Sequence, residues 1–216
     1  MGIRIILADD HAIVRHGLNR SFQQEEDCEI IAQAEDGRTS VELARELSPD
    51  VVVMDIGMPD LNGIEATRQI TRESTQVKVI ALSMHSGRKY VTEMFKAGAS
   101  GYLLKNCDFE ELVDAVRIVV GGKTYISPSI SDVVVQNYLN GSAEEDSAFS
   151  VLTRREREVI QLLAEGKTTK QAALSLYISP KTVEAHRLNI MNKLDMDSIA
   201  ELTKYAIQEG LTLLEQ

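Results

Sequence analysis

An apolar run that ends in one carboxylate constrains the fold of this chain more than any other stretch. The run covers residues 51–54 as Val-Val-Val-Met, and Asp55 follows it directly. Three β-branched residues in an unbroken apolar run are typical of a strand that is buried on both faces of a parallel sheet. Because ligands bind where the strands of open parallel sheets end, Asp55 is the first candidate site residue. The alternative is an aspartate that merely begins a turn, and this segment alone leaves both interpretations open.

The flanking sequence repeats an alternation of short apolar runs with segments of helical spacing. Strands are predicted at about 3–8, 29–34, 51–54, 77–82 and 101–104, and helices at about 12–24, 37–48, 63–72, 87–97 and 109–120, the last capped by Asp108. Regular alternation of this kind predicts a parallel sheet covered by helices on both faces. We therefore predict an N-terminal α/β domain, a doubly wound (βα)5 fold with strand order 2-1-3-4-5.

Polar side chains follow four of these predicted strands at their carboxyl ends. They are Asp9 and Asp10 after the first strand, Asp55 after the third, Ser83 after the fourth and Lys105 after the fifth. Parallel strands end at one rim and strands 1 and 3 are neighbours in this order, so the three aspartates are expected to form one cluster. A solvated residue at a strand end is the alternative for Lys105 or Ser83 taken alone.

The chemistry of such a cluster favours phosphoryl transfer. Carboxylates that lie close together repel each other unless a cation joins them, and hard oxygen donors suit Mg²⁺. A carboxylate such as Asp55 can also attack phosphorus as a nucleophile and form an acyl phosphate. The transferred group then needs positive charge and a hydrogen-bond donor, which Lys105 and Ser83 can supply.

A linker and a second domain are predicted beyond this part of the chain. A predicted helix from Pro128 to about Leu139 is followed by residues 140–147, which are small, polar and acidic and are typical of a flexible tether. We predict a domain at 1–123, a linker at 124–149 and an all-α domain of four helices at 150–214.

The four helices of the second domain are predicted from their caps. The caps are Thr153 with Glu156, Thr168 or Thr169, Ser179 with Pro180, and Asp197 or Ser198. The third of these helices runs to Leu194 and follows the second after a tight turn, an arrangement typical of a helix-turn-helix. The pattern alone is weak evidence for DNA binding.

The third helix of this domain has an outer face that could read DNA. Spacing places Lys181, Glu184, Ala185 and Leu188 on one face, with His186, Arg187, Asn189 and Lys193 at its flanks and Lys167 and Lys170 nearby. Residues 154–193 hold 8 basic and 4 acidic residues, a local charge of +4 in a chain whose total is −10. Only the local charge meets a phosphate backbone, so the acidic total does not exclude DNA binding. A solvated helix surface is the alternative.

The sequence also argues against a secreted or membrane protein. There is no apolar run long enough to span a membrane and no secretory signal at the N-terminus. The two cysteines, Cys28 and Cys107, provide neither a disulfide framework nor metal-ligand spacing. We expect a cytoplasmic protein with reduced thiols.

Residues 1–122 resemble the receiver domain of response regulators. The matching residues are Asp9-Asp10, Asp55 with Pro59 and Gly63, Ser83, and Gly-Tyr-Leu-Leu-Lys at 101–105. The resemblance implies that Asp55 accepts a phosphoryl group from a sensor histidine kinase. It implies Mg²⁺ held by Asp10, Asp55 and the backbone carbonyl of Gly57, with Asp9 helping through water. It further implies phosphoryl contacts from Ser83 and Lys105, and a switch role for Tyr102, which should move inward with Ser83.

Residues 152–194 resemble the LuxR-type helix-turn-helix, and the joined architecture is similar to that of the NarL/FixJ family. The matching segments are Leu-Thr-Arg-Arg-Glu-Arg-Glu-Val-Ile, Leu-Leu-Ala-Glu-Gly-Lys and Ile-Ser-Pro-Lys-Thr-Val-Glu-Ala-His-Arg. The resemblance implies base contacts from Lys181, Glu184, Ala185 and Leu188, and phosphate contacts from Thr182, His186 and Arg187. Two departures stand out: Gln171-Ala172-Ala173 in the second helix, and Asp195 where a glycine is common.

We therefore expect a phosphorylation-switched transcription regulator and not an enzyme. Its expected partners are a histidine kinase, promoter DNA, a second copy of the chain when phosphorylated, and RNA polymerase as a further candidate. The fourth helix offers Ile199, Leu202 and Ala206 as a dimer face, with a plain core role as the alternative. Glu184→Ala should relax base preference by removing an acceptor for cytosine, whereas Lys193→Ala should weaken binding to all sequences alike.

A receiver that serves only protein interaction is disfavoured by residues 150–214, and two further functions compete with this interpretation. An Asp-nucleophile phosphohydrolase usually carries a second aspartate two residues after the nucleophile, but that position is Gly57 here and no cap domain is present. A phosphorylation-independent transcription factor with a vestigial receiver is the second rival, and the complete set of rim residues argues against it.

Overall fold

The structure is a computed structural model that describes residues 2–139 and 148–212 of the 216-residue chain. These residues form two compact units, one built from most of residues 2–139 and the other around residues 148–212. The acidic tether predicted at 140–147 lies outside the described residues. None of the helices in the described parts of the chain has the length and apolar character needed to cross a membrane.

The first unit is built on a six-stranded parallel sheet. Its strands are β1 (Ile3–Ala8), β2 (Cys28–Ala34), β3 (Val51–Met54), β4 (Lys78–Ser83), β5 (Gly101–Leu104) and β6 (Tyr125–Ile126). They follow the order β2-β1-β3-β4-β5-β6, which confirms the predicted order of the first five strands. All five strand pairs are parallel, and β3 lies between β1 and β4 with every one of its side chains buried.

Among residues 2–139, six helices accompany this sheet. They are α1 (Ala12–Phe22), α2 (Gly37–Leu47), α3 (Gly63–Glu73), α4 (Arg88–Lys96), α5 (Phe109–Val120) and α6 (Pro128–Leu139). Apolar residues at alternate positions of β1, β3, β4 and β5 pack against Phe22 of α1 and against α5. The prediction that Asp108 caps α5 is corrected in one respect, because the side chain makes no capping hydrogen bond although Asp108 occupies the N-cap position.

The sixth strand was not predicted from the sequence. Tyr125 N donates to Ser100 O at 3.0 Å, and Ser127 N donates to Tyr102 O at 3.0 Å, which attaches β6 to the edge of β5. The predicted helix α6 follows at once, and its Ile130 is fully buried. The first unit therefore continues beyond residue 123 through α6.

The second unit is entirely helical among its described residues. Its helices are α7 (Ala148–Val151), α8 (Arg154–Ala164), α9 (Thr169–Ser175), α10 (Pro180–Leu194) and α11 (Ile199–Gln208). The predicted capping box of α8 is present, and two further boxes start α9 at Thr168 and α11 at Ser198. The short α7 was not predicted.

The two departures from the resembling family have physical explanations in this fold. Gln171 completes the capping box of α9, while Ala172 and Ala173 are buried in the core of the second unit. Asp195 ends α10 in the left-handed conformation, with φ at 53°, and its N–H donates to Met191 O. Aspartate tolerates this conformation better than most residues, so α10 still ends at Leu194.

The predicted dimer face on α11 needs correction. Leu202 and Ala206 are almost completely buried in the core of the second unit, and only Ile199 is exposed. A partner could reach the two buried side chains only if the unit opened, because they pack against the other helices of the same unit. The core alternative is therefore the correct one for Leu202 and Ala206.

Candidate functional site

Asp55 lies directly after β3 at the carboxyl rim of the sheet. Its N–H donates to Ala8 O at 2.7 Å, a bond that ties the residue to β1, and its side chain is largely buried. One carboxylate oxygen, Oδ1, accepts from Ile56 N at 2.7 Å, and the Gly57 N–H lies 3.5 Å from the same oxygen. The backbone thus fixes the orientation of this carboxylate before any ligand arrives.

Lys105 connects Asp55 with a second carboxylate. Its Nζ lies 2.7 Å from Asp55 Oδ2 and 2.8 Å from Asp9 Oδ2, and only 9% of its side chain is exposed. Burial by itself would lower the pKa of this lysine, but the charges and hydrogen bonds of Asp55 and Asp9 outweigh burial, so the pKa is raised. Lys105 therefore stays protonated across the physiological pH range.

The acidic cluster predicted from the sequence is present and includes one further residue. Asp9, Asp10, Asp55 and His11 each offer a ligand atom, and these four atoms all lie within 4.8 Å of one another. His11 Nδ1 is 2.7 Å from Asp10 Oδ1. His11 was not predicted as a site residue, and the only signal for it in the sequence is its position next to Asp10.

This donor set fits a small divalent cation. Mg²⁺ binds oxygen at about 2.1 Å in an octahedral geometry, so opposite ligands lie about 4.2 Å apart. Ligand atoms confined within 4.8 Å can meet that requirement with small adjustments. The three aspartate carboxylates carry a formal charge of −3, and the Lys105 ammonium contributes +1. The remaining charge of −2 would be balanced by a divalent cation.

The loop after Asp55 is held close to it by Gly63. Gly63 N donates to Ile56 O at 2.9 Å, and Asn62 caps α3 by accepting from Glu65 N. A β-carbon at position 63 would lie 1.9 Å from the backbone oxygen of Asp55, far inside van der Waals contact. Only glycine therefore permits this loop to pass so close to Asp55.

Ser83 and Tyr102 meet at the segment that follows β4. Ser83 is fully buried, and its Oγ accepts from His85 N at 3.0 Å. The Tyr102 hydroxyl donates to His85 O at 2.5 Å, and burial of the ring raises the pKa of this phenol. Tyr102 is fully buried in the conformation described here, and its switch role remains a prediction.

The second unit presents part of the predicted DNA-binding set to solvent. Exposed residues of that set are Lys170, Lys181, Thr182, Ala185, Leu188 and Lys193, while Lys167, Glu184, His186 and Arg187 are half-buried. On the opposite side of α10, Val183 and Ile190 are buried in the core of the second unit. The helix thus has the exposed face that reading DNA would require.

Lys193 has an ion-pair partner in α8 that was not predicted from the sequence. Its Nζ lies 2.7 Å from Glu156 Oε2, an oxygen that also accepts from Thr153 N and Thr153 Oγ1 in the capping box of α8. Burial would raise the pKa of Glu156, but the hydrogen bonds from Lys193 and Thr153 together lower it. Lys193 therefore joins α10 to α8 through this ion pair while its side chain stays 39% exposed, and its contact with DNA phosphates remains a prediction.

We expect Lys193→Met to destabilise the second unit by about 1–2 kcal/mol, because a buried carboxylate loses a charged donor. The lowered pKa of Glu156 stabilises the folded unit at any pH above the ordinary glutamate pKa of about 4.3. This stabilisation is lost as the pH falls through the lowered pKa of the folded protein. The variant should therefore show a weaker loss of stability on acidification. Urea unfolding between pH 3 and 7 measures both effects, with Lys204→Met on α11 as control; identical curves for the two variants would contradict this role.

Comparison with known proteins agrees with the geometry. Residues 5–117 match the family described as "Response regulator receiver domain", and residues 150–206 match "Bacterial regulatory proteins, luxR family". The transcriptional regulatory protein DegU of Brevibacillus brevis is 38% identical over 222 residues, covering 96% of this chain and 94% of DegU. The oxygen regulatory protein NreC of Staphylococcus haemolyticus is 37% identical over 214 residues, covering 97% of this chain and 99% of NreC.

Solved structures of response regulators are similar to all or part of this chain. A LuxR-family two-component response regulator from Aurantimonas sp. SI85-9A1 is 37% identical with a TM-score of 0.61, covering 64% of this chain and 99% of that one. The response regulator ChrA of a heme-sensing two-component system is 31% identical with a TM-score of 0.54, covering 97% and 98% of the two chains. The RcsB–DNA complex is 25% identical with a TM-score of 0.60, covering 95% and 98%. The chain belongs to the NarL/FixJ family of two-component response regulators, transcriptional regulators that join a receiver domain to a LuxR-type DNA-binding domain.

Proposed function

We propose that Asp55 is the phosphoacceptor of this response regulator and that its phosphorylation controls dimerisation and DNA binding. The observation that carries the proposal is the buried Asp55 carboxylate, which is oriented by Ile56 N–H and paired with Lys105 at 2.7 Å inside an acidic cluster. A carboxylate placed in this way is an oriented nucleophile beside a fixed positive charge.

In the proposed reaction, a carboxylate oxygen of Asp55 attacks the phosphorus of a phosphohistidine on a sensor kinase. The new P–O bond forms as the P–N bond breaks, and the leaving imidazole keeps the electron pair and takes a proton from solvent. The Lys105 ammonium, 2.7 Å from Asp55 Oδ2, balances charge on the transferred phosphoryl group. The Ser83 hydroxyl is the candidate donor to a phosphoryl oxygen.

Asp9, Asp10 and Asp55 are the residues that would hold Mg²⁺, with the backbone carbonyl of Gly57 as a further ligand. Bound Mg²⁺ supplies charge neutralisation for the phosphoryl oxygens and for the clustered carboxylates. Lys105 contacts the carboxylates of both Asp9 and Asp55 and would share in this neutralisation.

For the second unit we propose DNA reading by the exposed face of α10. Relatives in solved structures are described as two RcsB dimers bound to two parallel DNAs and as an RcsB–DNA complex, and we carry both properties over to this chain. A local charge of +4 is modest, so two copies on paired half-sites make physical sense. Lys170, Lys181 and Thr182 are exposed at the starts of α9 and α10. The proposal places the protein in the cytoplasm, with RNA polymerase as a candidate partner.

The rival functions receive less support. A phosphohydrolase would need a second acid two residues after Asp55, where the chain has Gly57. A vestigial receiver would not need the intact Asp9–Lys105–Asp55 ion-pair system, which is held at 2.7–2.8 Å.

Lys170→Ala should weaken binding of duplex DNA uniformly across sequences. Each lost phosphate contact removes about 0.9 from the slope of log affinity against log salt concentration. Fluorescence anisotropy at several salt concentrations measures this slope, with Lys123→Ala in the first unit as a matched control. An unchanged slope for Lys170→Ala would remove Lys170 from the proposed interface. If the wild type binds no duplex at all, the DNA-binding proposal is overturned.

A further inference from the structure

The carboxylate of Glu184 on the outer face of α10 is held by two neighbours. Thr169 Oγ1, on the first residue of α9, donates to Glu184 Oε1 at 2.9 Å. Arg187, one turn further along α10, pairs with Glu184 Oε2 through an N···O distance of 2.8 Å. Each carboxylate oxygen therefore has its own partner, one from each helix of the helix-turn-helix.

These contacts decide what Glu184 can do at a base edge. An unrestrained glutamate on a helix surface samples many rotamers, and fixing such a side chain on binding costs conformational entropy. The bonds to Thr169 and Arg187 fix the rotamer before DNA arrives. A carboxylate has about four acceptor sites, so two remain for a ligand after Thr169 and Arg187 have each taken one.

The charge of the group defines the ligand. An ionised carboxylate only accepts hydrogen bonds, and the matching donor in the major groove is the amino group of cytosine. Arg187 pairs with Glu184 through one guanidinium nitrogen, Nη2, and so helps to orient the carboxylate. The contacts of Glu184 with Thr169 and Arg187 thus hold an acceptor on the outer face of α10 in a fixed orientation.

We propose that Thr169 is a positioning residue which, together with Arg187, holds the Glu184 carboxylate ready to read a cytosine in the DNA half-site. The inference rests on the proposed DNA-binding function. Thr169 touches no base in this scheme and acts through Glu184. Its effect on recognition should therefore appear at one base pair and leave the rest of the site unchanged.

The test compares Thr169→Val with Thr169→Ser in the full chain carrying the beryllofluoride mimic. Valine keeps the size and β-branching of threonine but removes the hydroxyl, while serine keeps the hydroxyl. The preferred duplex is first selected from a random library by the wild type. Affinities are then measured for that duplex and for every single base-pair substitution in it.

For the wild type we expect one C·G pair whose replacement weakens binding about tenfold. Thr169→Val should reduce that penalty to about threefold or less without changing the penalties at other positions, and Thr169→Ser should keep it. Glu184→Ala should remove it, and the double variant with Thr169→Val should be no worse than Glu184→Ala alone. Matching thermal unfolding of the two Thr169 variants shows that stability does not explain the difference.

Two outcomes would overturn the inference. If Thr169→Val keeps the wild-type profile while Glu184→Ala flattens it, Glu184 reads its base without help from Thr169. If neither variant changes the profile, Glu184 does not read a base. A wild type that selects no sequence at all would instead overturn the proposed DNA-reading function, and this inference with it, so the two failures are distinguishable.

Discussion

Asp55→Asn is expected to reduce covalent phosphorylation of the chain by a small phosphodonor such as acetyl phosphate to background. The amide of asparagine is not nucleophilic, so no acyl phosphate can form at this position. The isosteric change should keep the hydrogen bond from Ile56 N, and Lys105 keeps its second carboxylate partner, Asp9. Intact-protein mass spectrometry in Mg²⁺ buffer measures the phosphorylated fraction.

Asp114→Asn on α5 is the matched control, because Asp114 is an exposed carboxylate outside the cluster. The Asp114→Asn variant should be phosphorylated to the wild-type level, because its Asp55 is unchanged. Asp9 and Asp10 offer competing carboxylates within 4.8 Å, so peptide mapping must locate the group on Asp55 in the wild type. Undiminished phosphorylation of Asp55→Asn would show that another residue is the acceptor.

Gly63→Ala is expected to damage both the fold of the first unit and its site. The added β-carbon would lie 1.9 Å from the Asp55 backbone oxygen and 2.9 Å from the Ile56 Cα, and neither backbone atom can move without disturbing the site. Overpacking of this kind costs about 1–3 kcal/mol. We expect lower stability in urea unfolding and a large drop in the rate of phosphorylation.

Gly17→Ala supplies the control for this prediction. Gly17 lies within α1, and a β-carbon there would meet no described atom within 4 Å. Because alanine favours a helix over glycine, this variant should be neutral or more stable by about 0.5–1 kcal/mol. A Gly63→Ala protein with wild-type stability and phosphorylation would show that the loop has room to relax.

Much of the first unit could be predicted because apolar runs alternate regularly with segments of helical spacing. The three β-branched residues of the run at 51–54 favour a buried strand, and parallel pairing then brings Asp9, Asp55 and Lys105 to one rim. Strand β6 could not be predicted in this way. Two residues, Tyr125 and Ile126, carry no periodicity, and their conformation is set by hydrogen bonds to β5.

The second unit shows where sequence reasoning ends. Helix starts were predictable because caps such as Thr153 and Ser179 are local signals. Partners in other helices are not local, so the pairing of Lys193 with Glu156 and of Glu184 with Thr169 was missed. A helical spacing alone also could not distinguish a dimer face from core at Leu202.

The most direct test of the switch measures oligomeric state and DNA affinity of the full chain with and without beryllofluoride and Mg²⁺, using Asp55→Asn as control. We predict that the mimic shifts the wild type towards a dimer and tightens DNA binding by about 5- to 150-fold, the usual range for coupled sites, while Asp55→Asn does not respond. If both proteins bind DNA equally with and without the mimic, the receiver does not control the DNA-binding domain and the vestigial-receiver interpretation takes its place.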